Sequence, residues 1–192
     1  MDRFDTIAQF AKIMAALVVT SSVAMAIATI TYLEVEYSLL DETIEDYPIY
    51  VVMVLADLAL LIVSFVAVAI WLVKAHQNMR NANIPSLRIT PGWVLAWYIV
   101  PFANLFMPFL AMKELWQGSH RETVDRMARA NGLLWVWWLA WIATNVNVVT
   151  DDISHLDTAA YVANAVSAAA LFVIIARITK AQPNMRVETE FE

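Results

Sequence analysis

Asp57 is the only acid inside a clearly apolar run of this 192-residue chain. It stands about eight residues, roughly 12 Å at 1.5 Å per residue, from the start of the run covering 49–73. A carboxyl in lipid-like surroundings is costly and is characteristically satisfied by a cavity, a partner or an ion path. The chemistry it offers is proton or cation binding; the structural alternative is a hydrogen-bonded acid near the interface. Asn145 and Asn147, Asn164 and Ser167, and Ser21 and Ser22 occur at similar depths in three other apolar runs, and Asn104 lies between Pro101 and Pro108. Converging on Asp57, the set Asp57, Asn104, Asn145 and Asn164 would line a polar cavity. Taken singly, each asparagine is an interhelical hydrogen bond of about 0.6 to 2 kcal/mol.

Other chemistries are poorly supplied. With no cysteine, disulfides, thiol nucleophiles, Cys-bound zinc and iron–sulfur clusters are excluded. His76, His120 and His155 fall in the polar connections, which disfavours a bis-histidine haem. His155, among Asp151, Asp152 and Asp157, is either a divalent-cation loop or a solvated acidic turn, and proximity alone does not make three or four ligands converge. No nucleophile and base stand in a recognisable pair. The expectation is a non-enzymatic protein with no catalytic residue, metal or cofactor, and the net charge of -6 argues against nucleic acid as a partner.

The elements that must position these residues are membrane helices. Hydrophobic residues make up 61 % of the chain and charged ones 16 %, against roughly 25 % charged in soluble domains. Runs at about 7–33, 49–73, 133–150 and 159–176 approach or exceed the roughly 20 residues that cross a hydrocarbon core. Ala24-Met25-Ala26 has the form of a signal-peptidase site, but the leading region is neutral and the apolar run continues past it, so the first run reads as an anchor. A further run, 93–112, is interrupted by Pro101, Asn104 and Pro108.

Basic residues decide how that run is threaded. If it enters and leaves on one side, all 12 Lys and Arg fall on that side, and the two opposite loops hold acids alone. Basic loops face the cytoplasm. The fold expected is therefore an all-α integral membrane helical bundle, one domain over 1–192, with four spanning helices and a proline-broken re-entrant segment. A cytoplasmic helix at about 120–131 starts at the capping box Ser119-His120-Arg121-Glu122. Both termini are cytoplasmic and the location is the cell inner membrane. Because free carbonyls cannot face lipid, the 101–108 turn is expected to be enclosed by the other helices, with Asn104 hydrogen-bonded to a neighbouring helix or to backbone.

Three surface features have ordinary readings. Trp135, Trp137, Trp138 and Trp141, with Trp71, Trp93, Trp97 and Trp116, read as an interfacial anchor belt, a hydrophobic-tail pocket remaining open. Arg80, Arg88, Arg121, Arg126 and Arg129 are candidate contacts for anionic lipid, or simply topology determinants. Small residues four apart at Ala16, Thr20, Ala24 and Ala28, and at Ala159, Ala163 and Ser167, are candidates for close helix approach within or between chains.

Trp71, Asn78 and Arg80, then Thr90-Pro91-Gly92-Trp93, Trp97, Pro101, Asn104-Leu105, Pro108 and Met112-Lys113-Glu114-Leu115-Trp116, form a linear pattern that resembles the bacterial membrane-protein family known as domain of unknown function 4328. The resemblance implies a multi-spanning architecture and marks Pro91, Trp93, Trp97, Pro101 and Pro108 as a structural motif; it carries no activity. The leading functional reading is an accessory, scaffold or small-ligand and lipid-binding bundle whose partners are the bilayer, anionic lipid or another membrane protein, the oligomeric state being open. The alternative is a small transporter or channel component using Asp57 and the broken segment.

Overall fold

The computed structural model describes residues 3–36, 48–82, 89–90, 92–96, 100–120, 124–146 and 155–188. All regular structure there is helical: α1 (Arg3–Glu36), α2 (Pro48–Asn81), the short α3 (Trp93–Ala96) and α4 (Pro101–Asn104), α5 (Met107–Ser119), α6 (Val124–Val146) and α7 (His155–Glu188). α1, α2 and α7 have 34 residues each. At 1.5 Å per residue that is about 50 Å, well beyond a 30 Å hydrocarbon core. These three are long and apolar enough to cross a membrane, and α6 contains a shorter apolar stretch, Gly132–Thr144. α6 runs unbroken through Gly132, so the expected cytoplasmic helix and the apolar run at 133–150 are parts of one element. The site expected at Ser119 is instead the last residue of α5.

α1 occupies the middle of the bundle, packed against α7 most extensively and against α2, while α6 packs on α7. The reason is legible along α1. Ala8, Ala11, Ala15, Val18, Ser22, Met25 and Thr29 are all buried, at alternating steps of three and four. That spacing is the seam of left-handed helix packing, and its small side chains let backbones approach closely. The stripe Ala16, Thr20 and Ala24 lies on the opposite, exposed face. There Thr20 Oγ1 donates to the Ala16 carbonyl at 3.1 Å, satisfying itself within its own helix. The periodicity of small residues alone did not distinguish the two faces; the longer apolar residues Ile13, Leu17, Val23 and Ile27, all exposed, show which one is outside.

Interhelical hydrogen bonds fix the register. Asn164 Nδ2 on α7 donates to Ser22 Oγ on α1 at 2.9 Å, near mid-length. Toward the end carrying Arg80 and Arg177, Trp71 Nε1 donates to Thr179 Oγ1 at 3.2 Å and Asn78 Nδ2 to Gln182 Oε1 at 3.2 Å. Gln182 Nε2 in turn donates to the Ala75 carbonyl at 3.1 Å. The densest core lies at this basic end, where Trp71, Leu72, Ala75 and Met79 meet Met112, Leu115 and Trp116 of α5 and Ile174, Ile175 and Ile178 of α7.

The broken segment returns to where it started: Ile89 N–H donates to Glu114 Oε1 at 3.1 Å. Its tip differs from expectation. Phe102 is 84 % exposed, and Leu105 and Phe106 are exposed as well, so the 101–108 turn is not enclosed. The backbone is satisfied locally instead, Asn104 N–H donating to the Val100 carbonyl at 2.8 Å and Phe106 N–H to that of Ala103 at 3.0 Å. One tight helical turn removes the need for surrounding helices, and Pro101 and Pro108 stand at the starts of α4 and α5, where a missing N–H costs nothing.

Candidate functional site: an intramembrane groove between α2 and α6

α2 and α6 flank the α1–α7 pair and leave a cavity of about 390 Å³ between them. Leu61, Phe65, Val68 and Leu72 of α2 form one wall, and Trp137, Trp138 and Trp141 of α6 form the other. Ala15 and Val18 of α1 and Asn164, Ser167, Ala168 and Leu171 of α7 also line it. Trp138 and Trp141 stack with ring centroids 4.8 Å apart, and Trp137 lies 5.6 Å from Trp138, so the aromatic wall is built as a unit. The tryptophans were expected as an interfacial belt. Trp71, Trp116, Trp137 and Trp138 are instead buried, while Trp93 and Trp135 are exposed. Phe109 of α5 holds the wall from behind, 4.5 Å from Trp135 and 6.2 Å from Trp138.

The polar groups of the cavity are few. Ser167 Oγ donates to the Trp137 carbonyl at 3.3 Å, and Asn164 is engaged with Ser22. Ser64 lines the cavity and is buried. A surface with so few polar groups among large apolar ones suits a hydrocarbon chain, and the volume falls within the usual range of small-molecule sites, about 300 to 1,000 Å³.

Of the residues expected to converge, Asn164 lines the cavity, while Asp57 and Asn104 do not. The side chain of Asn145, and Asn147, lie outside the described residues. Asp57 is 9 % exposed and its Oδ1 is enclosed without a hydrogen-bond partner. On α1, fully buried Thr29 has an unpartnered Oγ1 as well. Asn104 Oδ1 is also enclosed and without a hydrogen-bond partner. Arg80 is exposed near the end of α2; Arg88 and Arg121, and the side chains of Arg126 and Arg129, lie outside the described residues, as do Pro91 and Trp97.

The motif residues read from the sequence come together at the basic end. Trp71 and Asn78 reach α7, Met112, Leu115 and Trp116 fill the space beside them, and Ser119 Oγ donates to Met79 Sδ at 3.8 Å. His76 was expected in a connection. It is a buried residue of α2, its Nδ1 donating to the Leu72 carbonyl at 2.9 Å and its Nε2 unpartnered. His120, at the end of α5, stacks on Trp116 with centroids 4.5 Å apart. The apolar run was read as ending at 73; continuation of α2 to Asn81 draws His76 inside.

A family model described as Domain of unknown function (DUF4328) matches residues 46–180. The chain belongs to this family. The DUF4328 region takes in α2 to α6 and most of α7, hence both walls of the groove and most of the basic-end cluster, though not Gln182. It leaves α1, with Ser22 and Thr29, outside. No curated protein and no solved structure matches the chain.

Proposed function

We propose that this DUF4328 protein is a non-enzymatic bundle that holds the apolar chain of a lipid or similar amphiphile between α2 and α6. The observation that carries the reading is the cavity of about 390 Å³ walled by Trp137, Trp138 and Trp141 opposite Leu61, Phe65 and Val68. A dry cavity of this size forfeits dispersion contacts along its whole lining, and a chain drawn from the bilayer restores them. Anionic headgroups of the surrounding bilayer, distinct from the groove's occupant, meet the exposed Arg80 at the cytoplasmic surface.

The membrane arrangement belongs to the same proposal: four spans, α1, α2, α6 and α7, with the 93–112 segment re-entrant from the cytoplasm and both termini on that side of the cell inner membrane. Closure of the segment by Ile89 and Glu114 supports re-entry, and the one-sided placement of every Lys and Arg supports the orientation. Single cysteines introduced into this cysteine-free chain report it. Arg80→Cys and Gln117→Cys, both at exposed positions, should label only from the cytoplasm, and Ser38→Cys and Ser154→Cys only from outside. Outside labelling of Gln117→Cys would mean that the broken segment crosses.

Native mass spectrometry of the purified protein tests the occupant. The wild-type chain should retain a lipid-sized mass after detergent exchange. Ala168→Phe, which fills the cavity, and Ile62→Trp, at its exposed rim, should lose that mass while remaining folded. Retention undiminished in both variants would contradict the proposal.

A further inference from the structure

Asp57 continues the α2 wall of the groove. Asp57, Leu61, Ser64, Val68 and Leu72 fall on one helical face, and the last four line the cavity. The first lies seven residues, about 10 Å, from Ser64 toward the acidic end. In the half of α2 between Val51 and Phe65, Asp57 and Ser64 are the two buried residues, while Val51, Val52, Val54, Leu55, Leu58, Ile62 and Val63 are exposed. The helix thus turns apolar side chains to lipid and a carboxyl inward.

Among the described residues, no Lys or Arg stands at the level of that carboxyl. No Lys or Arg occurs between Lys12 and Lys74 or between Arg129 and Arg177, which together cover the helix segments level with Asp57. Its Oδ1 makes no hydrogen bond, and on α1 the buried Thr29 Oγ1 is unpartnered too. Thr29 lies seven residues after Ser22 on α1, and Asp57 lies seven residues before Ser64 on α2. A buried carboxylate left alone is among the most costly arrangements a membrane helix can carry, and a ligand's charge offsets that cost.

Resting on the reading of the groove as a chain-binding site, we propose that its occupant is a cationic amphiphile, an alkyl chain ending in an ammonium group. The chain lies along Leu72, Val68 and Phe65 opposite Trp137, Trp138 and Trp141, and the ammonium reaches outward to Asp57. The tryptophan faces add attraction for a cation passing the outer part of the wall. Selectivity then lies in one carboxyl and general affinity in the apolar walls, so the two are separable by mutation.

The test uses the full chain in phosphatidylcholine nanodiscs, with empty nanodiscs as blank, and two probes of equal chain length, decyltrimethylammonium and 1-decanol. Binding is read from tryptophan fluorescence. The wild-type protein should bind the ammonium probe at least about tenfold more tightly than the alcohol, a preference of about 1.4 kcal/mol. Asp57→Asn should remove the preference without weakening decanol, and Asp57→Glu should keep it, which separates lost charge from misfolding. Ala168→Phe should weaken both probes. Equal binding of both probes, or a preference that survives Asp57→Asn, overturns the cationic ligand and leaves the groove reading standing. Failure of both probes to bind overturns the two together.

Discussion

The backbone N–H of Ile89 rests on the carboxylate of Glu114 at 3.1 Å, although the two residues are 25 apart in the chain. A continuous helix of that length would separate its ends by roughly 37 Å. The pair therefore closes the segment as a hairpin, at the level where α5 meets the ends of α2 and α7.

Removing the acceptor should loosen this closure. Glu114→Ala leaves the Ile89 N–H without its carboxylate and should lower stability by about 1–3 kcal/mol, and Glu114→Gln should cost less because its amide oxygen can still accept. Thermal unfolding in detergent checks both. Glu114→Ala as stable as wild type would show that the hairpin does not depend on this bond.

The Asn78–Gln182–Ala75 relay joins α2 to α7 through one glutamine. Asn78→Ala and Gln182→Ala should each destabilise, and the double variant should be less destabilised than the sum by about 0.5–2 kcal/mol, since both remove the same bond. Strict additivity in a double-mutant cycle would place the two side chains apart.

Two alanine stripes on α1 give a sharper contrast. Ala11→Leu inserts volume into the seam with α2 and α7 and should cost about 1–3 kcal/mol. Ala24→Leu, on the exposed face, should change stability by less than about 0.5 kcal/mol. Equal effects on the isolated chain would invalidate the assignment of faces.

Trp71 combines packing with a donor. Trp71→Phe keeps most of the volume and loses the bond to Thr179, for about 0.5–1.5 kcal/mol, while Trp71→Ala should cost about 3–5 kcal/mol by opening a cavity beside Ile178 and Leu115. Urea or thermal melts distinguish the two. A Trp71→Ala variant as mild as Trp71→Phe would mean that the basic-end core collapses readily around the gap.

The membrane helices were legible because lipid imposes one simple requirement, a long apolar run, and α1, α2 and α7 meet it. Their ends were not, since residues such as His76 and Gln182 extend the helices beyond the apolar run while remaining buried against other helices. The motif around Trp71, Asn78 and Met112 to Trp116 was visible as residue types, but its partners Thr179 and Gln182 lie more than a hundred residues away with no local signal. The groove was legible only in pieces. Asn164 and the α6 tryptophans were noted separately, and their convergence depends on α2 and α6 both packing on the α1–α7 pair, which periodicity along a single helix does not encode. The enclosed turn was wrong for a definite reason: local hydrogen bonds around Pro101 and Phe106 perform the task assigned to neighbouring helices.

The most direct measurement is a structure of the protein in nanodiscs made with a bromine-labelled acyl lipid, since bromine locates the chain unambiguously. Bromine density is expected between Phe65 and Val68 of α2 and Trp138 and Trp141 of α6, beside Ala168. Bromine confined to the outer faces of the helices, with α2 and α6 drawn together over an obliterated groove, would contradict it.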